Sequence, residues 1–184
     1  MNLSLFIVVL GGRSLKSNIE IHDVRWVIGE SIEDTFPELR RQWLGKISGL
    51  HIDSYKCIKY IDGHEIVITT SNKDNLNHPQ IEDLKLWFVN LGGYNPKKMY
   101  EEHEFNLIVA KKAIQAKNKA KKDWESNLKN KHNDDHSAIN YLEQVDDLHP
   151  ITIKNWEINL IPDPEERSEK LIPDWYGYRR IDKF

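Results

Sequence analysis

The feature that most constrains the fold is a repeat, because much of the first half of the sequence recurs in the second half. The stretch "LFIVVLGG" at 5–12 aligns with "LWFVNLGG" at 86–93, an offset of 81 residues. Kept without a gap, this offset gives 13 identities across residues 5–60. They include the rare types His and Trp, in the pairs His22/His103, Trp43/Trp124 and His51/His132, and the acidic pairs Glu20/Glu101 and Asp53/Asp134. A repeat of this length indicates one ancestral unit that was duplicated and fused.

Each half begins with two strand patterns. Apolar strands are predicted at about 3–10 and 85–91, and each ends at a Gly-Gly pair suited to a turn. Second strands are predicted at about 21–29 and 102–110.

A helix pattern follows in each half. In the first half, Ser31 is the predicted N-cap and Gly45 the predicted end. The apolar stripe between them consists of Ile32, Phe36, Leu39, Trp43 and Leu44. Pro37 interrupts it and fits best in a first helical turn. In the second half the stripe is Ala113, Ala116, Ala120, Trp124 and Leu128, which predicts a longer helix.

Strand patterns return after each helix. Residues 53–61 and 64–70 predict a hairpin turned at Asp62-Gly63, and residues 149–161 predict the corresponding strands of the second half. The predicted fold class is therefore α+β, with two tandem β-β-α-β-β repeats related by a pseudo-twofold axis.

The same patterns predict the domain organisation. The first repeat spans 1–70, a polar joint spans 71–84, and the second, diverged repeat spans 85–160. The tail at 161–184 holds three aromatic residues close together, so we expect it to pack on the body.

Composition excludes several classes of protein. The 26 basic and 29 acidic side chains give a net charge of −3, so no global field attracts nucleic acid or an anionic membrane. Cys57 is the only cysteine, which excludes an internal disulfide and a multi-thiolate zinc site. The apolar start is shorter than the ~20 residues that cross a bilayer. We expect a cytoplasmic protein without a membrane partner.

The stretch "NIEIHDVRW" at 18–26 concentrates ionisable side chains on a predicted strand. Strand alternation puts Glu20 and His22 on one face and Asp23 and Arg25 on the other. Because Glu20 and His22 recur in the second half, and His51 and Asp53 recur at the same offset, each half could hold a His/carboxylate cluster. Such a cluster suits a general base or a metal ligand set, but it also suits a structural tie between a loop and a strand.

Two other features of the sequence could bind anions, but each also has an ordinary structural interpretation. Arg13 follows Gly11-Gly12 directly, so that backbone N–H groups and a guanidinium could bind a phosphate or carboxylate at the strand end, or Arg13 could be a solvated turn residue. The lysine-rich segment 111–131 could follow a phosphate backbone, but lysine usually marks a solvated helix face.

The motifs "LGGR" at 10–13, "IEIHDVRWVIGESIEDTFPELRRQWLG" at 19–45 and "GLHIDSY" at 49–55 resemble a bacterial family known only as domain of unknown function 1543. The resemblance covers mainly residues 3–70 and implies no reaction, substrate or cofactor. Its polar motif positions correspond here to Arg13, Glu20, His22, Asp23, Arg25, His51, Asp53 and Tyr55. The second half departs from the pattern at Tyr94, Glu104, Asn106, Asp135 and His136.

We therefore expect a protein that binds a small anionic ligand or a partner, with its site in the first repeat. The expected ligand-binding residues are Gly11, Gly12, Arg13, Glu20, His22, Asp23, Arg25, His51, Asp53 and Tyr55. No residue is assigned to a metal or to catalysis, and the cofactor is unknown. One alternative is a metal-assisted hydrolase that uses the same His/Asp cluster. A second is a nucleic-acid-associated protein, which the charge balance disfavours. Homo-oligomerisation stays open.

Overall fold

The computed structural model describes residues 3–71, 83–94, 97–131 and 142–183. The chain divides into two compact units. Unit 1 comprises Met1–Leu76 and Thr152–Phe184, and unit 2 comprises Asn77–Ile151. Neither helix in the described ranges is long and apolar enough to cross a membrane.

The main sheet of unit 1 has four antiparallel strands in the order β10-β3-β1-β2. They are β1 (Ser4–Gly12), β2 (Ile21–Gly29), β3 (His51–Ile58) and β10 (Trp175–Arg180). The central strand, β1, is apolar along most of its length and is buried on both faces, as its sequence predicts.

A short helix packs on one face of this sheet. A 3-10 turn at Glu33–Thr35 leads into α1 (Phe36–Gln42), with Pro37 in the first turn, where its missing N–H costs nothing. Ser31 does not act as the predicted N-cap, because it donates its N–H and hydroxyl to the Asp34 carboxylate. Leu44 was expected on the apolar stripe but lies beyond the helix and is exposed.

The core of unit 1 lies between α1 and this sheet. Residues that alternate along β1 face the helix, together with apolar side chains from the neighbouring strands and the tail. The buried members are Phe6, Val8, Leu10, Val27, Ile32, Phe36, Leu39, Trp43, Leu50, Ile52 and Ile181.

A second, smaller sheet of unit 1 has the order β4-β5-β9. It consists of β4 (Tyr60–Ile61), β5 (His64–Thr70) and β9 (Trp156–Pro162). The predicted turn is present between β4 and β5, since Asp62 and Gly63 have φ values of 51° and 73°. Two consecutive positive φ values are typical of a type I′ hairpin turn.

The described part of unit 2 contains three strands and one long helix. The strands are β6 (Lys85–Tyr94), β7 (Glu101–Ala110) and β8 (Leu142–Pro150), in the order β7-β6-β8. The helix α2 (Ala113–Lys131) packs the small side chains of Ala116 and Ala120 against the sheet. The α+β class and the tandem repetition of β-β-α-β are thus confirmed.

The division between the units differs from the expected one at its C-terminal end. Residues 156–160 were assigned to the second repeat and 161–162 to the tail, but all of β9 pairs with β5 in unit 1, over seven residue pairs. The tail also belongs to unit 1, where β10 pairs with β3 and Trp175 stacks on Tyr55 at a centroid distance of 6.0 Å. Most of the expected polar joint lies outside the described residues.

The Gly-Gly pairs do not form turns. Gly11 and Gly12 continue β1, and Gly92 and Gly93 continue β6. In the register, Gly11 lies between His22 of β2 and His51 of β3, and Gly92 occupies the corresponding central position in unit 2, beside His103. These glycines serve close packing rather than a left-handed backbone.

Candidate functional site

A cluster of ionisable side chains lies on the face of the main sheet of unit 1 that is opposite α1. We call Glu20, His22, His51 and Asp53 the unit 1 cluster. His22 and His51 flank Gly11 in the register and therefore share its face. A Cβ atom on residue 11 would lie 2.4 Å from His51 Nε2 and 3.0 Å from Asp53 Oδ2. Only glycine at this position leaves room for the cluster.

His51 is the buried centre of the unit 1 cluster, with 1% of its side chain exposed. Its Nδ1 lies 2.8 Å from the carbonyl oxygen of Gly49, which can only accept a hydrogen bond. Its Nε2 lies 3.2 Å from Asp53 Oδ1 and 3.5 Å from Glu20 Oε1. The ring of Tyr178 covers the imidazole at a centroid distance of 4.0 Å.

Asp53 joins the two histidines. Its other oxygen, Oδ2, lies 3.2 Å from His22 Nε2, so that one carboxylate contacts both imidazoles. Asp53 takes this position because β3 bulges there: Val9 pairs with Ser54 and Leu10 with Ile52, leaving Asp53 unpaired. A β-bulge commonly redirects a side chain in this way.

The arrangement at His51 favours a proton or a metal ion between its Nε2 and the two carboxylates. With Nδ1 donating to Gly49, the neutral ring directs its Nε2 lone pair at the oxygens of Asp53 and Glu20. Facing lone pairs repel each other, and a proton carried by Nε2 or by a carboxylate, or a metal ion, between these atoms removes the repulsion. The cluster can therefore act as an acid–base group or as a metal ligand set.

The structure brings together five of the ten expected site residues: Gly11, Glu20, His22, His51 and Asp53. Asp23 and Arg25 form an ion pair with each other on the opposite face, which confirms the predicted alternation. Tyr55 also lies on that face and packs against Phe6 and Trp175.

Arg13 and Gly12 also lie away from the unit 1 cluster. Arg13 is exposed on the loop after β1, where its Nη1 donates to the carbonyl of Asn18 at 3.4 Å. Gly12 packs against the indole of Trp43, since a Cβ atom there would lie 2.8 Å from Cζ2.

A second cluster occupies the corresponding place in unit 2. We call Glu101, His103 and Asp146 the unit 2 cluster. His103 lies 3.8 Å from Glu101 through Nε2 and 3.5 Å from Asp146 through Nδ1. One ligand atom from each residue lies within 4.8 Å of both others. A Cβ atom on Gly92 would lie 1.8 Å from Asp146 Oδ2 and 2.7 Å from Glu101 Oε1.

The strand registers correct the expected correspondence between the repeats. His132 and Asp134, the expected counterparts of His51 and Asp53, lie outside the described residues. In β8, Gln144 pairs with Gly92 as His51 pairs with Gly11, and Asp146 sits at a bulge as Asp53 does. An insertion of 12 residues before β8 therefore breaks the ungapped offset. A gapped comparison of "HIDSY" with "QVDDL" would have found Asp146.

Two tyrosines border the clusters, and the sequence reasoning assigned neither of them to a site. Tyr178 comes from β10 and covers His51. Tyr94 lies opposite Glu101 in the register. The negative charge of Glu101 raises the pKa of the Tyr94 phenol, and the phenol donates a hydrogen bond to this carboxylate. The positions of both tyrosines depend on strand pairing, which the sequence pattern does not report.

Comparisons with known proteins place the chain in a family. The model of the family described as Domain of Unknown Function (DUF1543) matches residues 17–68 and 98–149, and thus both repeats. A crystal structure of a protein Il1583 from Idiomarina loihiensis is similar, with a TM-score of 0.70 and 28% sequence identity over 97% of each chain. No curated protein matches the sequence. Because the family model matches more than half of the sequence, the chain belongs to the DUF1543 family.

Proposed function

We propose that this protein binds a divalent transition-metal ion at the unit 1 cluster. The observation that carries the proposal is the contact of one buried imidazole nitrogen, His51 Nε2, with two carboxylate oxygens at 3.2 and 3.5 Å. This choice develops the alternative in which the His/Asp cluster holds a metal ion.

The distances within the cluster are compatible with a metal ion. Ligand atoms about 2.1 Å from a metal ion lie about 3.0 to 3.4 Å apart in octahedral or tetrahedral geometry. The contacts of Asp53 with His51 and His22, both at 3.2 Å, fall in this range. Because His51 and His22 contact different oxygens of Asp53, these side chains would have to rotate to bind one ion together.

The hydrogen bond of His51 to the backbone also supports the proposal. A histidine that ligates a metal through one nitrogen usually donates its other N–H to a carbonyl or carboxylate. His51 donates Nδ1–H to Gly49 and is held further by the ring of Tyr178. The ring is therefore oriented before any ion binds.

The ligand types favour zinc, iron or a similar ion. Imidazole suits these ions, and carboxylates can complete the set. His22 is the most exposed member, with 53% of its side chain accessible, so the site faces solvent on that side. An open side leaves coordination positions for water or for a ligand, which the hydrolase alternative requires.

In this proposal the expected anionic ligand binds to the metal ion and not directly to the side chains of the cluster. Two carboxylates repel an anion that binds beside them without a metal ion. A metal-bound anion avoids this repulsion, and Arg13 lies on the loop that follows the glycine pair. Arg13 is outside the metal ligand set and away from the unit 1 cluster, so it could reach only the part of a larger anion that extends beyond the cluster.

Equilibrium dialysis of the full chain against Zn²⁺ and Co²⁺, after treatment with a chelator, tests the proposal. We expect His22→Ala and Asp53→Asn to bind one ion per chain fewer than the wild type, or to bind it at least about tenfold more weakly. His64→Ala is the matched control, since His64 also contacts a backbone carbonyl, of Asp62 at 2.8 Å, but lies on β5. Variants that bind as the wild type does would overturn the proposal.

A further inference from the structure

We infer that the unit 2 cluster is a second and separate site for a divalent cation, formed by Glu101, His103 and Asp146. This inference goes beyond the proposed function, because it rests on the geometry of unit 2 alone. It holds whether or not the unit 1 cluster binds a metal ion.

The three side chains converge from two strands. Glu101 and His103 are two residues apart on β7 and thus share one face, and Asp146 projects from the bulge of β8. One ligand atom of each residue lies within 4.8 Å of the other two. Three ligand atoms about 2.1 Å from one ion lie about 3.0 to 3.6 Å apart, so the three side chains would close toward one another by about 1 Å as the ion binds.

Gly92 of β6 supplies the space between these strands. The Asp146 carboxylate lies 1.8 Å from the place where a Cβ atom of residue 92 would be, and Glu101 lies 2.7 Å from that place. Any side chain at residue 92 would fill the site. The absence of a side chain lets both carboxylates close over the strand toward His103.

The charges of the cluster call for a cation. Two carboxylates face a single imidazole, and the three side chains are between 20% and 47% exposed. Among the described residues, no lysine or arginine forms an ion pair with Glu101 or Asp146. Carboxylates held this close repel each other unless a proton or a cation lies between them.

The ligand set also indicates the type of ion. One imidazole with two carboxylates is a harder set than two imidazoles with carboxylates, and harder sets suit Mn²⁺ and related ions. The position of His51 is taken by Gln144 in the register, so a second imidazole is missing there. We therefore expect the unit 2 cluster to bind Mn²⁺ and use this ion as the probe.

An electron paramagnetic resonance titration of the full chain with Mn²⁺ tests the inference, because bound Mn²⁺ loses the sharp signal of the free ion. We expect His103→Ala and Asp146→Asn to weaken one binding event at least about tenfold. His149→Ala is the matched control. His149 also lies on β8 and contacts a carboxylate, Asp147, at 3.8 Å, but it is outside the cluster. The His149→Ala variant should bind Mn²⁺ as the wild type does.

Gly92→Ala gives a second arm, since its methyl group would occupy the site directly. Circular dichroism checks that each variant is folded, and the two exposed changes at His103 and Asp146 decide the result if Gly92→Ala fails to fold.

The titration separates this inference from the proposed function. A loss of binding in His103→Ala that is absent from His22→Ala supports the unit 2 site. Equal Mn²⁺ binding by wild type, His103→Ala and Asp146→Asn overturns it, even if His22→Ala has lost Zn²⁺. A wild-type chain that binds no Mn²⁺ at millimolar concentration also overturns it.

Discussion

Gly11 lies directly opposite His51 in the register of β1 and β3, and the imidazole occupies the volume that a side chain on residue 11 would need. In unit 2 the Asp146 carboxylate likewise occupies the volume that a side chain on residue 92 would need, although the residue opposite Gly92 in the register is Gln144. In both units the sheet makes room for ionisable groups by leaving a side chain out of its central strand. This relationship gives the first prediction.

Gly11→Ala should lower the free energy of unfolding by about 1–3 kcal/mol, as overpacking in a closely packed region does. Gly49→Ala is the control, because a methyl group on residue 49 would meet open space. There the only expected loss is about 1 kcal/mol of backbone strain, from placing alanine at a φ of 85°. Urea unfolding measures both. In a double-mutant cycle, Gly11→Ala with His51→Ala should lose less stability than the sum of the single changes. An additive cycle would contradict the contact.

Asp163 should make stability depend on acid pH. The Arg167 guanidinium and backbone N–H hold the pKa of Asp163 at about 2, below its ordinary value of 3.8. A carboxyl whose pKa is lower in the folded state than in the unfolded state stabilises the folded state at pH values above its pKa in the unfolded state. This contribution is lost as the pH falls through its pKa in the folded state. We expect Asp163→Asn to lower Tm at pH 7, and the difference in Tm between this variant and the wild type to shrink as the pH falls from about 4 to about 2. Glu165→Gln, at an exposed neighbour, should follow the wild type throughout.

Ile181 should anchor the C-terminal tail. Its side chain is fully buried in the core of unit 1, and its N–H donates to the carbonyl of Leu50 at 3.0 Å. Ile181→Ala should cost about 2–5 kcal/mol in unfolding free energy, because it leaves a cavity. Lys183→Ala, at an exposed position two residues further on, should change stability by less than about 0.5 kcal/mol. A tail that contributes little to folding would show similar values for both variants.

Arg13→Ala should leave stability within about 0.5 kcal/mol of the wild type, because the side chain is exposed and its hydrogen bond to the carbonyl of Asn18 is long, at 3.4 Å. If Arg13 contacts a metal-bound anion, the variant should lose the thermal shift that phosphate or carboxylate compounds give in the presence of Zn²⁺. Lys46→Ala, on the neighbouring loop, is the control. An unchanged ligand response in Arg13→Ala would remove Arg13 from the site.

The sequence predicts the elements well where local pattern decides the structure. The strand at Ile21–Gly29 and the turn at Asp62-Gly63 follow from alternation and from residues that tolerate positive φ. The unit 1 cluster could also be predicted in part, because duplicated His and carboxylate residues drew attention to Glu20, His22, His51 and Asp53.

Pairing between distant strands could not be predicted in the same way. Gly11 was interpreted as a turn residue, since local propensity does not distinguish a turn from a close approach across strands. The pairing of β9 with β5 could not be predicted for the same reason, so residues 156–160 were assigned to the second repeat. Asp146 was missed because the insertion before β8 shifts the repeat.

The pairing of β5 with β9 makes unit 1 discontinuous along the polypeptide, since the chain leaves this unit before unit 2 and re-enters it at Thr152. One backbone cleavage between these two strands would therefore yield two fragments that stay associated through seven residue pairs and a shared core. Limited proteolysis of this protein would show two bands under denaturing electrophoresis and a single species under native conditions.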